Sequence, residues 1–208
     1  MLSIKEDCFI AVHTSLRNSH IAGEEVLEVV KTEKINQPDE NTYAKLKDNF
    51  FHNGTIEVDV YSQLLEDAPD YARGFIGLAF RIREDDSSFE SFYIRPTNGR
   101  TDDPVRSQRA IQYFAYPTYT FDYFRERDIK DFEGPADIGL SEWIRLKAVV
   151  KGDKADFYVN GDLVLQVQQL KLGKDASGSV GLFVDIGTRG YFKNLQVTAE
   201  DEQVCLRI

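Results

Sequence analysis

Apolar and polar residues alternate one by one along much of the chain. Within residues 55–61, Ile56, Val58 and Val60 occupy every second position, and polar residues or tyrosine lie between them. The same period of two residues recurs in segments 77–83, 91–95, 144–150 and 180–184. Successive side chains of a β-strand point to opposite faces, so this pattern predicts strands with one face in a core.

Other apolar runs have the length and composition of strands. They lie at 8–13, 25–31, 42–46, 111–115, 155–159, 163–167 and 191–197. The pairs Asn53-Gly54, Asn98-Gly99 and Asn160-Gly161 supply residues that tolerate the positive φ angles of tight turns. Only residues 125–132 have a pattern typical of one or two helical turns. Roughly a dozen short strands with such turns predict an all-β sandwich or barrel, and the chain length is typical of one domain over residues 1–208.

The composition is that of an acidic globular protein. The chain has 208 residues, 42% of them hydrophobic, and a formal net charge of −10. An acidic surface repels phosphate backbones, so we expect no nucleic-acid partner. No apolar stretch approaches the about eighteen residues of a membrane span, so none is expected. Glu6 and Asp7 stand where a signal peptide requires apolar residues, which favours a cytoplasmic location.

The cysteines and histidines do not follow the spacing of a metal site. Cys8 and Cys205 lie near opposite ends of the chain, and the three histidines are scattered. We therefore predict no metal site built on these side chains. The sequence leaves open whether the two cysteines pair. It also leaves open a structural calcium ion, because Asp102 and Asp103 could supply the oxygen ligands that calcium prefers.

Six segments together resemble the concanavalin A-like lectin/glucanase group. They are FHNGTIEVDV at 51–60, FIGLAFRI at 75–82, FESFYIRPTNGR at 89–100, YVNG at 158–161, VGLFV at 180–184 and GTRGYFKNL at 187–195. The likeness is to laminin-G-like domains and to domains related to family 16 glycoside hydrolases and 3-keto-disaccharide hydrolases. It implies two antiparallel sheets in a jelly-roll sandwich, with ligands held on a concave face. Many such domains bind glycans and some hydrolyse them.

A polar segment at residues 95–106 is rich in arginine, and an aromatic stretch at residues 113–124 follows it. Guanidinium and carboxylate groups can pair with vicinal sugar hydroxyls, arginine also binds the carboxylates of uronic acids, and sugar rings stack on aromatic rings. We therefore predict a carbohydrate site on the concave face, roofed by residues 95–119. The predicted site residues are Arg81, Tyr93, Arg95, Asn98, Arg100, Asp102, Asp103, Arg106, Gln112, Tyr113 and Tyr116. A competing interpretation is a loop in which the arginines and aspartates pair only with one another.

Binding is favoured over catalysis, and two alternatives stay open. Family 16 glucanases carry a Glu-x-Asp-x-x-Glu strand, of which Glu57 and Asp59 match the first two carboxylates. Ser62 stands at the third, and serine cannot act as the proton donor. A glycoside hydrolase would instead draw a carboxylate pair from Glu57, Asp59, Glu90, Asp102, Asp103 and Asp185. The other alternative is a protein-interaction module of the laminin-G-like type.

Overall fold

The computed structural model describes residues 4–32 and 37–200, which form two packed β-sheets. The strands of this part of the chain are β1 (Phe9–Val12), β2 (Thr14–Ile21), β3 (Glu24–Lys31), β4 (Tyr43–Leu46), β5 (Gly54–Leu64), β6 (Ile76–Ile82), β7 (Phe89–Ile94), β8 (Ile111–Tyr116), β9 (Glu133–Gly134), β10 (Ile144–Lys151), β11 (Lys154–Val159), β12 (Asp162–Val167), β13 (Ser179–Val184) and β14 (Thr188–Ala199). Two short helices, α1 (Pro96–Gly99) and α2 (Phe121–Glu126), lie between strands.

Each sheet has seven strands, and the chain passes repeatedly from one sheet to the other. Sheet A has the order β1-β4-β13-β6-β7-β8-β9, and sheet B has the order β12-β11-β10-β5-β14-β3-β2. The strand pairs are antiparallel throughout the described residues. Many neighbours in a sheet are distant in sequence, as in a jelly roll. The predicted all-β, two-sheet antiparallel jelly-roll sandwich is confirmed.

The N-terminal segment enters β1 through a 3-10 turn at Glu6–Cys8. The Cys8 side chain is partly buried, and its Sγ lies 3.6 Å from a carboxylate oxygen of Asp7. Cys205 lies outside the described residues, so the pairing of the two cysteines stays an open question. Within residues 4–32 and 37–200, the helices are all too short or too polar to cross a membrane.

The core between the sheets is aromatic at its centre. Phe92 of β7 stacks on Phe157 of β11 with ring centroids 4.5 Å apart and an interplanar angle of 11°. Phe80 and Tyr113 also contact Phe157, at 6.2 and 6.1 Å between centroids. Rings of this size each bury on the order of 150–250 Å², so this group is a large part of the contact between the two sheets.

A second hydrophobic cluster lies on the outer face of sheet A. This outer cluster consists of Val12, Tyr43, Phe75, Ala79, Ile82, Phe89, Tyr93, Phe114 and Phe183. Because alternate side chains of a strand point to opposite faces, Tyr93 joins this cluster while its neighbour Phe92 enters the core. The outer cluster is buried, so sheet A carries packed side chains on both faces. The pockets on this face lie near the two ends of β6.

The strand predictions hold for most elements, and the misses have local causes. The Asn160-Gly161 turn joins β11 to β12 with φ angles of +50° and +93°. The Asn98-Gly99 pair instead lies in and at the end of α1, and α2 begins four residues before the predicted helical stretch at 125–132. The missed strand β2 lies at the edge of sheet B with mostly exposed or half-buried side chains. An edge strand of this kind carries no apolar alternation that could reveal it.

A β-bulge turns Arg81 away from the face that simple alternation predicts. Across the β6–β13 ladder, Ala79 is opposite Gly181 and Ile82 is opposite Ser179. β6 therefore has one residue more than β13 over this stretch, and Arg81 adopts a φ of +53°. The extra residue inverts the alternation beyond it, so Ile82 joins the outer cluster.

The buried guanidinium of Arg81 joins three loops at one end of the sandwich. Its Nε donates to the carbonyl of His52 at 2.9 Å, and its Nη2 donates to the carbonyl of Gly152 at 2.6 Å. Its Nη1 donates to the carbonyl of Gly173 at 3.2 Å and lies 3.3 Å from the carboxylate of Glu90. Both members of this ion pair have fully buried side chains. Arg81 therefore has the environment of a structural residue.

We expect Arg81→Met to lower the free energy of unfolding by about 3–5 kcal/mol, because it leaves Glu90 buried without its cation. Urea unfolding followed by the fluorescence of Trp143 measures this loss. Arg83→Met is the matched control, since Arg83 lies two residues further on with a 66% exposed side chain. The control should change stability by no more than about 0.5 kcal/mol. Equal unfolding midpoints for the two variants would contradict the structural role of Arg81.

Candidate binding site

A pocket of about 440 Å³ lies on the outer side of sheet A, where β7 and β13 end and β6 begins. We call it the arginine pocket. Its lining comprises the arginines Arg73, Arg95, Arg106, Arg109 and Arg125, the aromatic residues Tyr71, Phe75, Tyr93 and Phe121, and the residues Pro38, Asn98, Asp122 and Ile186. Asp122 is the one carboxylate among these described lining residues.

Arg95 lies across three neighbouring strands and fixes one wall of the pocket. Tyr93, Gln112 and Glu133 form a cross-strand row on β7, β8 and β9. The Nη2 of Arg95 donates to the Tyr93 hydroxyl at 2.7 Å and to the Gln112 side chain at 3.0 Å. Its Nη1 donates to Glu133 at 2.9 Å and to the carbonyl of Arg109 at 3.2 Å. With its side chain only 5% exposed, Arg95 braces the wall and adds positive charge to it.

Arg106 enters the pocket from the segment between α1 and β8. Its Nε donates to the side-chain oxygen of Asn98 at 3.0 Å, and its Nη2 donates to the carbonyl of Thr97 at 2.9 Å. The amide of Asn98 in turn donates to the carbonyl of Arg109 at 2.9 Å. The Asp103 carboxylate accepts the backbone N–H of Arg106 at 3.1 Å and so shapes this segment. The described side-chain hydrogen bonds of Arg106 are therefore made to neutral oxygen atoms.

One carboxylate serves three of the arginines. Glu133 forms ion pairs with Arg95 at 2.9 Å and with Arg109 at 3.6 Å, and it also binds Arg125. Arg125 additionally lies over the ring of Phe121, 4.7 Å from its centroid. Shared in this way, Glu133 cannot neutralise all three guanidinium groups.

Arg73 lies on the segment that leads into β6. Its Nη1 donates to the carbonyls of Asp70 and Ala72 at 2.6 and 2.9 Å. Burial lowers the pKa of Arg73 below its usual value, and the nearby charges of Arg106 and Arg95 lower it further. The charges of Asp103 and Asp70 raise the pKa of Arg73, but by less than the two arginines lower it.

Beneath the pocket, the buried carboxyl of Asp39 connects the segment after β3 to α2. Its Oδ2 accepts the backbone N–H of Phe121 at 2.7 Å, and its own N–H donates to the carboxylate of Asp185 at 2.9 Å. Asp185 also forms a 2.9 Å ion pair with the buried Lys31. Burial raises the pKa of Asp39 to about 7, and the negative charge of Asp185 raises it as well. The hydrogen bond from the Phe121 N–H and the charge of Arg95 act in the opposite direction. Sequence reasoning missed Asp39 because it has no distinguishing local pattern.

The structure brings four of the predicted site residues into the pocket lining and one beneath it. Tyr93, Arg95, Asn98 and Arg106 line the arginine pocket. Gln112 is fully buried and supports Arg95. The lining residues Arg73, Arg109, Tyr71, Phe121 and Arg125 were not predicted. They come from separate segments of the chain, so no single motif could have collected them.

The other predicted site residues lie elsewhere. Arg100 is exposed and forms ion pairs with Asp137 and Glu142 at 2.5 and 2.9 Å. Tyr116 stacks on Phe89, with centroids 5.2 Å apart, at the edge of the outer cluster. The remaining ones are Arg81 at the opposite end of β6, the exposed Asp102 and Asp103, and Tyr113 in the core between the sheets.

The carboxylates considered for hydrolysis do not meet in this pocket. Glu57 and Asp59 are both bound by Arg145, at 2.7 and 3.0 Å, on the outer side of sheet B. Glu90 and Asp185 are buried, each against a cation. Asp102 and Asp103 are exposed on the segment before β8 and do not line the pocket.

A larger and more open groove of about 870 Å³ lies near the other end of β6. It contains charges of both signs, including Lys45, Asp48 and Arg83. Its exposed apolar residues are Phe50, at 66% exposure, and Ile10, at 46%. This groove differs from the arginine pocket in having no concentration of one charge.

Similar folds occur among solved structures. A carbohydrate-binding module, CBM66 from Bacillus subtilis, superposes with a TM-score of 0.61 at 15% identity, covering 90% of this chain and 93% of that one. A candidate glycosyl hydrolase from Parabacteroides distasonis gives 0.53 at 14% identity, with the same coverage. A Bacillus subtilis protein described as having a galectin-like fold gives 0.50 at 12% identity, covering 89% and 86%.

These likenesses, with the two seven-stranded sheets, confirm the predicted concanavalin A-like jelly-roll fold. No family model matches the sequence, and no curated protein matches it either. At identities of 12–15% the likeness concerns the fold alone.

The Asp39 carboxyl predicts a pH-dependent stability. Its folded-state pKa of about 7 lies above the ordinary value of 3.8, so the folded protein holds this proton more tightly than the unfolded chain. The contribution is favourable at low pH and is lost as the pH rises from about 4 to about 7, by at most about 4 kcal/mol.

Asp39→Asn should remove this contribution and flatten the stability curve over that range. Urea unfolding at half-unit pH steps measures the difference from the unmodified protein. Asp102→Asn, which removes an exposed carboxylate, is the control for net charge. Parallel curves for Asp39→Asn and the unmodified protein would show that this proton is not linked to folding.

Proposed function

We propose that the protein binds a carbohydrate in the arginine pocket. The observation that carries this proposal is the combination, in one pocket, of aromatic rings with planar hydrogen-bonding side chains. Tyr71 is 48% exposed and Phe121 is half-buried, and both share the lining with the half-buried Arg73 and Arg106.

This combination matches the surface of a sugar. The C–H faces of a pyranose or furanose ring pack on aromatic rings, while planar guanidinium groups pair with neighbouring hydroxyls. The pocket volume of about 440 Å³ is within the range of small-molecule binding pockets. A pocket of this size accepts a short saccharide or the end of a longer chain.

The fold supports the same class of ligand. The carbohydrate-binding module from Bacillus subtilis shares the fold over 90% of this chain. Fold alone does not establish function, so the weight of the proposal rests on the pocket and its side chains.

Binding is better supported than hydrolysis. Glycosidic hydrolysis ordinarily needs two carboxyl groups at about 5–9.5 Å from each other, both with access to the substrate. Among the described lining residues, Asp122 is the one acid, and Asp39 and Asp185 are buried beneath the floor. We therefore propose a binding module, with hydrolysis as the outcome that product analysis would reveal.

A protein-interaction role is the second candidate. It is favoured by the exposed Phe50 and Ile10 in the larger groove, since large exposed apolar side chains grouped together often mark interaction surfaces. This role would use a different surface from the proposed carbohydrate site, so the two can be tested separately.

A glycan array with product analysis on the same panel tests the proposed function. We expect binding without turnover, and we expect Tyr71→Ala to weaken binding by about 5-fold, because an aromatic contact contributes on the order of 1 kcal/mol. Isothermal titration with the best array ligand measures the affinity.

Phe50→Ala is the matched control, since it removes an exposed ring from the larger groove. It should leave the affinity unchanged. Loss of glycan binding on Phe50→Ala with no effect of Tyr71→Ala would place the site in the larger groove and contradict the proposal. Release of sugar products would establish the hydrolase instead.

A further inference from the structure

The arginine pocket concentrates positive charge in an acidic protein. The chain as a whole has a formal net charge of −10, yet five guanidinium groups line this one pocket. Asp122 is the one acid among the described lining residues, and Glu133 lies behind the wall as the shared partner of three arginines. The local balance of charge is therefore opposite to that of the molecule.

The arginines divide into two groups by their partners. Arg95, Arg109 and Arg125 share the Glu133 carboxylate, which holds them in the wall. The described side-chain contacts of Arg73 and Arg106 are to neutral carbonyl, hydroxyl and amide oxygens. These two side chains are half-buried and keep part of their surface in the pocket.

Holding like charges together costs free energy unless enough negative charge compensates them, and the described contacts of Arg73 and Arg106 include no direct ion pair. Burial is the main cause of the lowered pKa of Arg73, the charges of Arg106 and Arg95 lower it further, and those of Asp103 and Asp70 raise it by less. Repulsion between like charges does not stabilise the fold, and neutral donor side chains could make the same hydrogen bonds to carbonyl oxygens. A bound anion would turn the crowding into attraction, and partial burial would reduce screening by solvent.

We propose that the ligand of the arginine pocket is an acidic saccharide, whose carboxylate, sulfate or phosphate group lies against Arg73 and Arg106. This inference rests on the proposed carbohydrate function and specifies its ligand class. The guanidinium group is planar and donates paired hydrogen bonds to two oxygens of one anionic group, which suits each of these three groups. The exposed ring of Tyr71 then faces the apolar side of the sugar ring.

Titration calorimetry with matched ligand pairs tests the charge requirement. The pairs are trigalacturonate and its methyl ester, a carrageenan tetrasaccharide with and without its sulfates, and mannose 6-phosphate and mannose. We expect the acidic member of at least one pair to bind at least 10-fold more tightly than its neutral partner. Its affinity should fall as the salt concentration rises, because ions screen the pairing.

Arg73→Gln and Arg106→Gln test the location. Each should lower the affinity for the acidic ligand by about 10-fold or more and leave the affinity for its neutral partner nearly unchanged. Glutamine keeps hydrogen-bonding capacity but removes the charge. Arg83→Gln, on an exposed arginine away from the pocket, is the matched control and should have no effect. Unfolding midpoints of all three variants identify any that fail to fold.

The possible results separate this inference from the proposed function. Equal binding of acidic and neutral partners, with equal losses in the arginine variants, would overturn the acidic ligand and leave carbohydrate binding intact. Binding of inorganic sulfate or phosphate with no saccharide binding would overturn the carbohydrate function. If the protein prefers the acidic ligand and neither Arg73→Gln nor Arg106→Gln reduces that preference, the assignment of the anionic group to Arg73 and Arg106 is overturned.

Discussion

The contact on which the site depends is the buried Arg95 guanidinium lying across the row Tyr93, Gln112 and Glu133. The row belongs to three adjacent strands, and the third, β9, has only two residues. Arg95 therefore joins the outermost strand of sheet A to the sheet interior while its charge is compensated by Glu133. The same carboxylate then positions Arg109 and Arg125 at the pocket wall. One polar network thus fixes the edge of the sheet and the charge of the pocket together.

Packing on both faces of sheet A decides where pockets remain. The outer cluster fills the centre of the outer face, including Phe89, Phe114 and Phe183 with no exposed surface. The buried Asp39, beneath the arginine pocket, is anchored to Asp185 and to the backbone N–H of Phe121. The pockets of this face therefore lie toward the strand ends. The aromatic residues at 113–124 accordingly contribute mostly to packing, and Phe121 is the one among them that lines the arginine pocket.

The arginines differ in role because they differ in burial and in hydrogen-bond partners. Arg81 and Arg95 are both buried and held by several acceptors, so each behaves as a structural cation. Arg73 and Arg106 are half-buried, contact neutral oxygens and line an open pocket. A buried cation stabilises a fold only with its acceptors in place, whereas an incompletely compensated cation in a pocket favours an anionic ligand. The acidic-saccharide proposal follows from this difference.

The sequence by itself determined most of the strands, the all-β class and the alternation that sends Phe92 inward and Tyr93 outward, because each of these depends on neighbouring residues. It also predicted Tyr93, Arg95, Asn98 and Arg106 as site residues from their local chemistry, and these four line the arginine pocket. Only the tertiary structure decided the position of Arg81, because a bulge depends on the partner strand and its left-handed residue is not a glycine. It alone joined Asp39 to Asp185, 146 residues away, and gathered Arg73 and Arg125 into one pocket. Such contacts arise where the chain crosses between sheets, and no local period records those crossings.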